Sequence, residues 1–385
     1  MKVVFIGTYY NHHQSAFSRA MWAYLKGQYA FIETQKVPEQ RLALGYASHH
    51  DEPFLVSYET EKDKCHRLIG EADVVIIGQP DPALMRMAVR AGKVIFRYSE
   101  RPLKSGDEWH KYIPRLLKWH WQTPPGKPIY LLCAGAYVAY DFGKFGLFRG
   151  KAYRWGYFPE LKRYDDLSAL MAKKQSRKIL WCGRFLDWKH PDDALRVAQR
   201  LQAEGYDFEL SFIGTGDMDK ALYQMASAYG LDGRVRFLGS MSPEAVRAHM
   251  EAAGISLVTG DRREGWGAVL NESMNSGCAV VASHMVGSAP YLVKDGENGL
   301  LYKSGDVDML SEKIKYLLEH PEAQVRMGTE AYDTITRRWH AEIAAERLVC
   351  LSEQILSGSR SPDLYEHGPC SKAEAIKDAR PLEAT

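Results

Sequence analysis

Two glutamates eight positions apart, Glu264 and Glu272, bracket the segment EGWGAVLNE. Gly265 and Gly267 between them let backbone N–H groups approach an anion. The run AVLNESMNSG that follows has helix composition and ends at Gly277, which puts a helix N-terminus beside the loop. A phosphate suits such a place. Carboxylates do not help a phosphate directly, so both acids are expected to accept hydrogen bonds from hydroxyls on either side of it. A nucleotide sugar offers hydroxyls at both ends: Glu264, on the loop, is placed to reach the sugar, and Glu272, about one turn into the helix, the ribose. Alone, the motif is read equally well as a solvated loop acid and an ordinary helix residue.

Positive charge comes from GRFLDWKH at 183 to 190, where Arg184 and Lys189 follow an apolar run. A planar fork and a compact point charge together suit a diphosphate. IGTGDMD at 213 to 219 adds Gly214 and Gly216 in a turn that permits close approach to a nucleotide. It is not a dinucleotide fingerprint, because Asp219 stands at the third glycine position. The aspartates of Asp217-Met218-Asp219 and Asp306-Val307-Asp308 resemble paired metal ligands, but both pairs precede helical segments and are read as caps, so no metal site is expected.

These residues need strands and helices to hold them. Short apolar runs at 2–7, 72–78, 93–99 and 128–135 alternate with helical stretches, including 14–26 and 82–91. The pattern restarts with runs at 178–185, 208–216, 234–240, 254–260 and 278–284. Buried runs alternating with helices indicate parallel βα units. The segment PDDALRVAQRLQAEG, 191 to 205, has Pro near its start, acids in its first turn and Gly at its end. The expected fold class is α/β, two doubly wound Rossmann-like parallel-sheet domains facing across a cleft, with ligands at the C-terminal ends of the strands. The expected domains are 1–160, a polar linker at 161–177, a donor-binding domain at 178–340, a C-terminal helix at 341–357 returning to the first domain, and a flexible tail at 358–385.

Bulk properties agree with this. A chain of 385 residues is long enough for two cores. Fifty Lys and Arg against 48 Asp and Glu leave a formal charge of +2, too little for a global field that would argue for nucleic acid. Six scattered cysteines, Cys65, Cys133, Cys182, Cys278, Cys350 and Cys370, form no C-x2-C pair; neither a zinc site nor a disulfide framework is expected, and a cytoplasmic location fits. The apolar start MKVVFIG reads as a first strand rather than a signal peptide, and no run of eighteen apolar residues suggests a spanning helix.

Taken together, GRFLDWKHPDDAL, FIGTGDM, FLGSMSPEAV, EGWGAVLNESMNSGCAVVAS and GSAPYLVKDGENGLLYKSGD resemble the family-four retaining glycosyltransferases of the GT-B fold, in spacing and in order, over about residues 178 to 350. The resemblance implies that Glu264 binds the donor sugar and Glu272 the ribose, with Arg184 and Lys189 on the diphosphate. It also implies that backbone groups around Trp266, Gly267 and Ala268 face the phosphates and that Gly7 of the first domain closes over them. It implies transfer with retention and no cofactor or metal, the nucleotide-diphosphate sugar being a substrate. Acceptors would be glycans or lipid-linked saccharides of a cell-surface or capsular polysaccharide. The alternatives are a non-catalytic nucleotide-sugar-binding protein and a GT-B nucleotide-sugar epimerase.

The first domain departs from the family pattern. Many relatives place a histidine after the fourth strand; here FRYSERP supplies Ser99, Glu100 and Arg101. Glu100 is the expected acceptor-side group, with His12 and His13 as alternatives. The segment EWHKYIPRLLKWHWQ, 108 to 122, mixes aromatic and apolar residues with Lys111, Arg115 and Lys118. It is either a face resting on the inner surface of an anionic membrane or a helix packed on its own domain with its basic face solvated.

Overall fold

A computed structural model describes residues 1–37, 51–78, 81–106 and 109–377. These divide into two compact units, Met1–Glu160 with Trp339–Lys377, and Leu161–Arg338.

In the first unit the apolar runs become β1 (Val3–Gly7), β4 (Val74–Ile77), β5 (Val94–Ser99) and β6 (Ile129–Ala134). β2 (Tyr29–Glu33), β3 (Leu55–Ser57) and β7 (Ala152–Trp155) complete a sheet ordered β3-β2-β1-β4-β5-β6-β7 among the described residues. All its pairings are parallel. The second unit holds β8 (Gln175–Cys182), β9 (Glu209–Ile213), β10 (Val235–Phe237), β11 (Ala253–Val258), β12 (Ala279–Ser283) and β13 (Leu300–Tyr302) in the order β10-β9-β8-β11-β12-β13, again parallel. Every residue of β6, β11 and β12 is buried, because helices cover both faces of such sheets. In both sheets the chain winds outward from one strand, returns beside it and winds the other way. That reversal lies between β1 and β4 in the first unit and between β8 and β11 in the second. Loops diverge at a reversal and leave a crevice at the carboxyl edge.

Four strands escaped the sequence reading: β2, β3, β7 and β13 are three to five residues long, too short for periodicity to separate them from other buried segments. The stretch 156–178, read as polar and without strand pattern, contains helix Leu167–Lys173, capped by Asp166, and the start of β8. The first half of β8, QSRK, is polar because alternate residues are exposed there. Residues 161–177, expected as a linker, belong to the second unit: Lys162 donates its N–H to Asn275 at 2.9 Å and accepts from the same side chain at 2.9 Å.

Helix Ala341–Leu356 lies in the first unit and packs on helix His12–Tyr24. The tail after it is not free over its described part. Cys370 and Ser371 are buried, and 370–373 runs antiparallel to the edge strand β7. The hydrogen bonds are Cys370 N–H to Arg154 O at 2.9 Å, Arg154 N–H to Ser371 O at 2.7 Å and Ala373 N–H to Ala152 O at 3.0 Å. An open strand edge accepts a partner through main-chain groups, so the low apolar content of the tail carried no signal of it. Residues 378–385, also assigned to the tail, lie outside the described residues, as does Glu108.

Candidate functional site

The second unit's reversal point holds a small pocket, partly open to solvent, lined by the ends of β8 (Trp181, Cys182) and β11 (Leu257, Val258) and by Lys189 and Glu264. The sequence motifs meet here because both loops leave adjacent parallel strands at the same edge. Trp181 donates its indole N–H to Thr259 Oγ1 at 2.8 Å, and Thr259 donates to the Lys189 carbonyl at 2.6 Å. Asp261 N–H reaches the Trp188 carbonyl at 2.8 Å. Loop 183–190 and loop 259–267 are thereby clasped.

Lys189 and Glu264 form an ion pair, their side chains 19% and 16% exposed. Gly260 leaves room for this: a Cβ there would stand 3.1 Å from Glu264 Cβ. Arg184, on the same loop as Lys189, is exposed and has no ion-pair partner among the described residues. Glu272 follows one turn into helix Ala268–Asn275. Burial pushes its carboxyl above the usual range, partly offset by the Arg247 charge, and its carboxylate has no hydrogen-bond partner among the described residues. Cys182, beside it, has its thiol pushed up to about 12, first by burial and then by the Glu272 charge.

That helix begins at Gly267, which sits in the left-handed region at φ 83° and supplies no side-chain cap. A Cβ on Gly267 would come within 2.7 Å of Val286 Cγ1. Leu270 N–H bonds the Gly267 carbonyl at 3.0 Å, but the N–H groups of Ala268 and Val269 have no side-chain cap and open at the pocket, where an anion can take them. Gly265 is buried and adopts no positive φ. Trp266 is wholly buried and donates to Asn271 Oδ1 at 2.8 Å; its ring pins the loop to the helix, leaving only main chain to face a ligand.

Gly214 and Gly216 have a packing role that sequence reasoning did not see. A Cβ on Gly214 would lie 2.0 Å from the Gly183 carbonyl oxygen, and one on Gly216 2.6 Å from the Phe185 carbonyl. The 214–216 turn presses backbone to backbone against the loop that bears Arg184. Asp219 accepts from Gly216 N–H at 3.1 Å and Asp306 caps Met309 N–H at 2.9 Å. Among the described residues no group of His, Cys, Asp and Glu is arranged to hold a metal ion.

Sequence reading also missed a charged lock at the rim. Asp261 accepts from Arg263 Nε at 3.1 Å and Nη2 at 2.9 Å and lies 3.4 Å from His190 Nε2, while Arg263 reaches Asp187 at 2.9 Å. Burial alone would raise Asp261, but the hydrogen bonds from His190 and Arg263 outweigh it and hold its carboxyl at about 2. The bond to Asp261 raises His190 against burial. His190 itself turns the chain at φ 47° into helix Pro191–Ala203. Asp261, Arg263 and Asp187 are common surface types, and only their convergence distinguishes them.

In the first unit, Gly7 ends β1 against Phe31, whose Cζ would stand 2.6 Å from a Cβ. His12 and His13 open helix His12–Tyr24, where Asn11 caps His13 N–H at 2.8 Å. Glu100, just past β5, pairs with Lys104 and accepts from the Tyr157 hydroxyl. The Tyr157 ring stacks on His13 with centroids 4.9 Å apart. Glu100 and His13 thus meet at Tyr157, which no motif had marked, and the His12 ring lies 4.0 Å from that of His13. Arg101, next to Glu100, is instead buried in a two-pronged bond to Asp141 at 3.2 and 3.1 Å.

Two doubly wound parallel-sheet units, one with a helix N-terminus opening at its reversal point, are the architecture of the GT-B fold. Anabaena HepE in complex with UDP and glucose superposes with a TM-score of 0.66 at 16% identity, covering 93% of this chain and 100% of that one. The lipopolysaccharide outer core galactosyltransferase WaaB does so at 0.68 and 17%, covering 92% and 100%. Residues 165–334 match the family described as glycosyl transferases group 1. A D-inositol 3-phosphate glycosyltransferase of Corynebacterium aurimucosum is 29% identical over 164 residues, 41% of this chain and 38% of that protein; the chain thus spans less than half the length of this relative. The match to the glycosyl transferases group 1 model thus spans nearly all of the second unit, and the two units have the GT-B fold.

Proposed function

We propose that this protein is a retaining, hexosyltransferase-like glycosyltransferase. It moves a sugar from a nucleotide-diphosphate donor to a glycan or lipid-linked saccharide in cell-surface or capsular polysaccharide synthesis. The observation that carries the proposal is the convergence of Lys189, Glu264, Glu272 and an uncapped helix start at the β8–β11 reversal. The relatives' glycosyltransferase names and the UDP and glucose bound to HepE support it.

In this reading the donor diphosphate lies at the start of helix Ala268–Asn275 and takes Lys189 away from Glu264. The freed Glu264 carboxylate then accepts hydrogen bonds from the sugar, while Glu272 accepts them from the ribose. As the bond from the anomeric carbon to the diphosphate oxygen breaks, negative charge grows on the leaving group. Arg184, Lys189 and the helix N–H groups stabilise it; they stand where other transferases use a metal. The acceptor oxygen bonds to the anomeric carbon on the face the diphosphate leaves, and its proton passes to the departing phosphate. The first unit's Glu100, Tyr157 and His13 are the groups assigned to the acceptor.

A screen of nucleoside diphosphates and their sugars by thermal shift identifies the donor. Incubation with acceptor glycans, read by the anomeric NMR signal of the product, checks retention, and the same reaction with EDTA is expected to proceed unchanged. Binding without turnover across the panel would instead support the non-catalytic alternative. Glu264→Gln is expected to reduce transfer about a hundredfold or more while sparing binding of the free diphosphate; undiminished transfer would remove Glu264 from the reaction.

A further inference from the structure

Helix Tyr112–Gln122 has two apolar faces. One is packed: Trp119 is buried against Phe142 and Phe145, and Tyr112 stacks on Phe145 at 4.7 Å. The other carries Ile113, Leu117 and Trp121 at spacing i, i+4, i+8, a single stripe along the helix. These are 65%, 66% and 51% exposed, the first two being the most exposed large apolar side chains among the described residues. Packing on its own domain therefore accounts for one face only.

Charge says what the second face meets. Residues 82–128 contain ten Lys or Arg and three Asp or Glu, in a chain whose formal charge is only +2; of the ten, Arg97 and Arg101 are buried and lie away from the surface. Lys118 flanks the stripe on the helix itself. Helix Pro82–Arg90 packs alongside and brings Arg86 over the Trp121 ring at 5.3 Å. Arg86, Arg90 and Lys118 are exposed, with no acidic partner among the described residues. A second copy of the chain docking here by two-fold symmetry would set this basic rim against itself, whereas lipid phosphates would neutralise it. No helix of the described residues is long and apolar enough to cross a membrane; an exposed apolar stripe beside a basic rim is suited to lying on a bilayer.

We propose that helix Tyr112–Gln122 seats the protein on an anionic lipid surface. Ile113, Leu117 and Trp121 enter the boundary of the acyl region, and Arg86, Arg90 and Lys118 meet lipid phosphates. This does not depend on the donor site, which lies in the other unit. The test is flotation of the full chain with vesicles of phosphatidylglycerol mixed into phosphatidylcholine, and with phosphatidylcholine alone. The wild type is expected to float with the mixed vesicles and far less with the neutral ones, and to be released by high salt, which screens the basic rim. Ile113→Glu with Leu117→Glu is expected to weaken partitioning roughly ten- to a hundredfold. Arg86→Glu with Lys118→Glu should abolish the preference for anionic vesicles. All four positions are exposed, so thermal unfolding and nucleotide-diphosphate binding should not change. Equal flotation of wild type and variants, or no flotation of the wild type, overturns the proposal. So does a concentration-dependent dimer that Leu117→Glu converts to monomer.

Discussion

Replacing Gly214 with alanine tests whether the glycine turn acts through the loop it supports. The new Cβ would stand 2.0 Å from the Gly183 oxygen and 2.9 Å from its carbon, at a backbone φ of +130°. Ordinary carbon contacts lie at about 3.5–4.0 Å, so one of two hydrogen-bonded loops must move by about 1.5 Å. Strain at such a φ costs about 1–3 kcal/mol and overpacking about 1–3 kcal/mol, giving about 4 kcal/mol of lost stability. The displaced loop is tied to the turn by Phe185 N–H to Thr215 O at 3.0 Å and Met218 N–H to Phe185 O at 3.0 Å, and it bears Arg184 and Lys189. Gly233→Ala is the control: its φ is +83°, with no atom within 4 Å of a Cβ, so strain alone should cost about 1–2 kcal/mol. Hydrogen exchange at β8 and β9 amides reads the second unit specifically, and calorimetry reads nucleotide-diphosphate affinity, expected to fall roughly tenfold for Gly214→Ala and not for Gly233→Ala. Equal destabilisation by the two variants would refute the interlocked-loop reasoning. Undisturbed affinity in a destabilised Gly214→Ala would separate the turn from the site.

Three other expectations follow from the same geometry. Lys189→Met and Glu264→Gln, alone and combined, should show a coupling of about 1–2 kcal/mol in ligand-free thermal unfolding, since each leaves the other half of a mostly buried pair; additive effects would show that the pair is not formed. Asp261, held at about 2 against an ordinary 3.8, contributes to the rim lock above its ordinary value and loses that contribution as pH falls through about 2. The raised His190 contributes below its ordinary 6.5 and loses it as pH rises through its folded value. Exchange of the 187–190 amides should therefore rise at both extremes, and Asp261→Asn should remove both dependences. Glu272 is raised by burial; in the proposed ribose-binding role it must be ionised to accept from hydroxyls, so nucleotide affinity should fall on acidification at a pH above the ordinary glutamate range, and Glu272→Gln should weaken binding and flatten that profile in titration calorimetry.

Among the motifs, EGWGAVLNE, GRFLDWKH and IGTGDMD announced their places at one sheet edge through residue types tied to fixed backbone conformations. Each follows an apolar run that can only be a strand in such a pattern. Tyr157 and Asp261 were silent because nothing near them in sequence needs a tyrosine or an aspartate. Their meaning comes from a ring laid on His13 and from His190, which reaches Asp261 from the neighbouring loop and joins Arg263 there.

What the amino-acid order by itself determined is local and repetitive: alternating strands and helices, helix ends, and glycine and charge at the strand-to-helix turns. Short-range periodicity and turn chemistry are written in neighbouring residues, so they survive without coordinates. Tertiary structure alone decided which strands lie side by side. The adjacency of β8 and β11 sets Lys189 against Glu264 across 75 positions of chain, and the edge of β7 gives the tail a partner. Pairing between distant strands rests on main-chain hydrogen bonds and on the burial of whole faces, and neither leaves a mark on any single stretch of sequence.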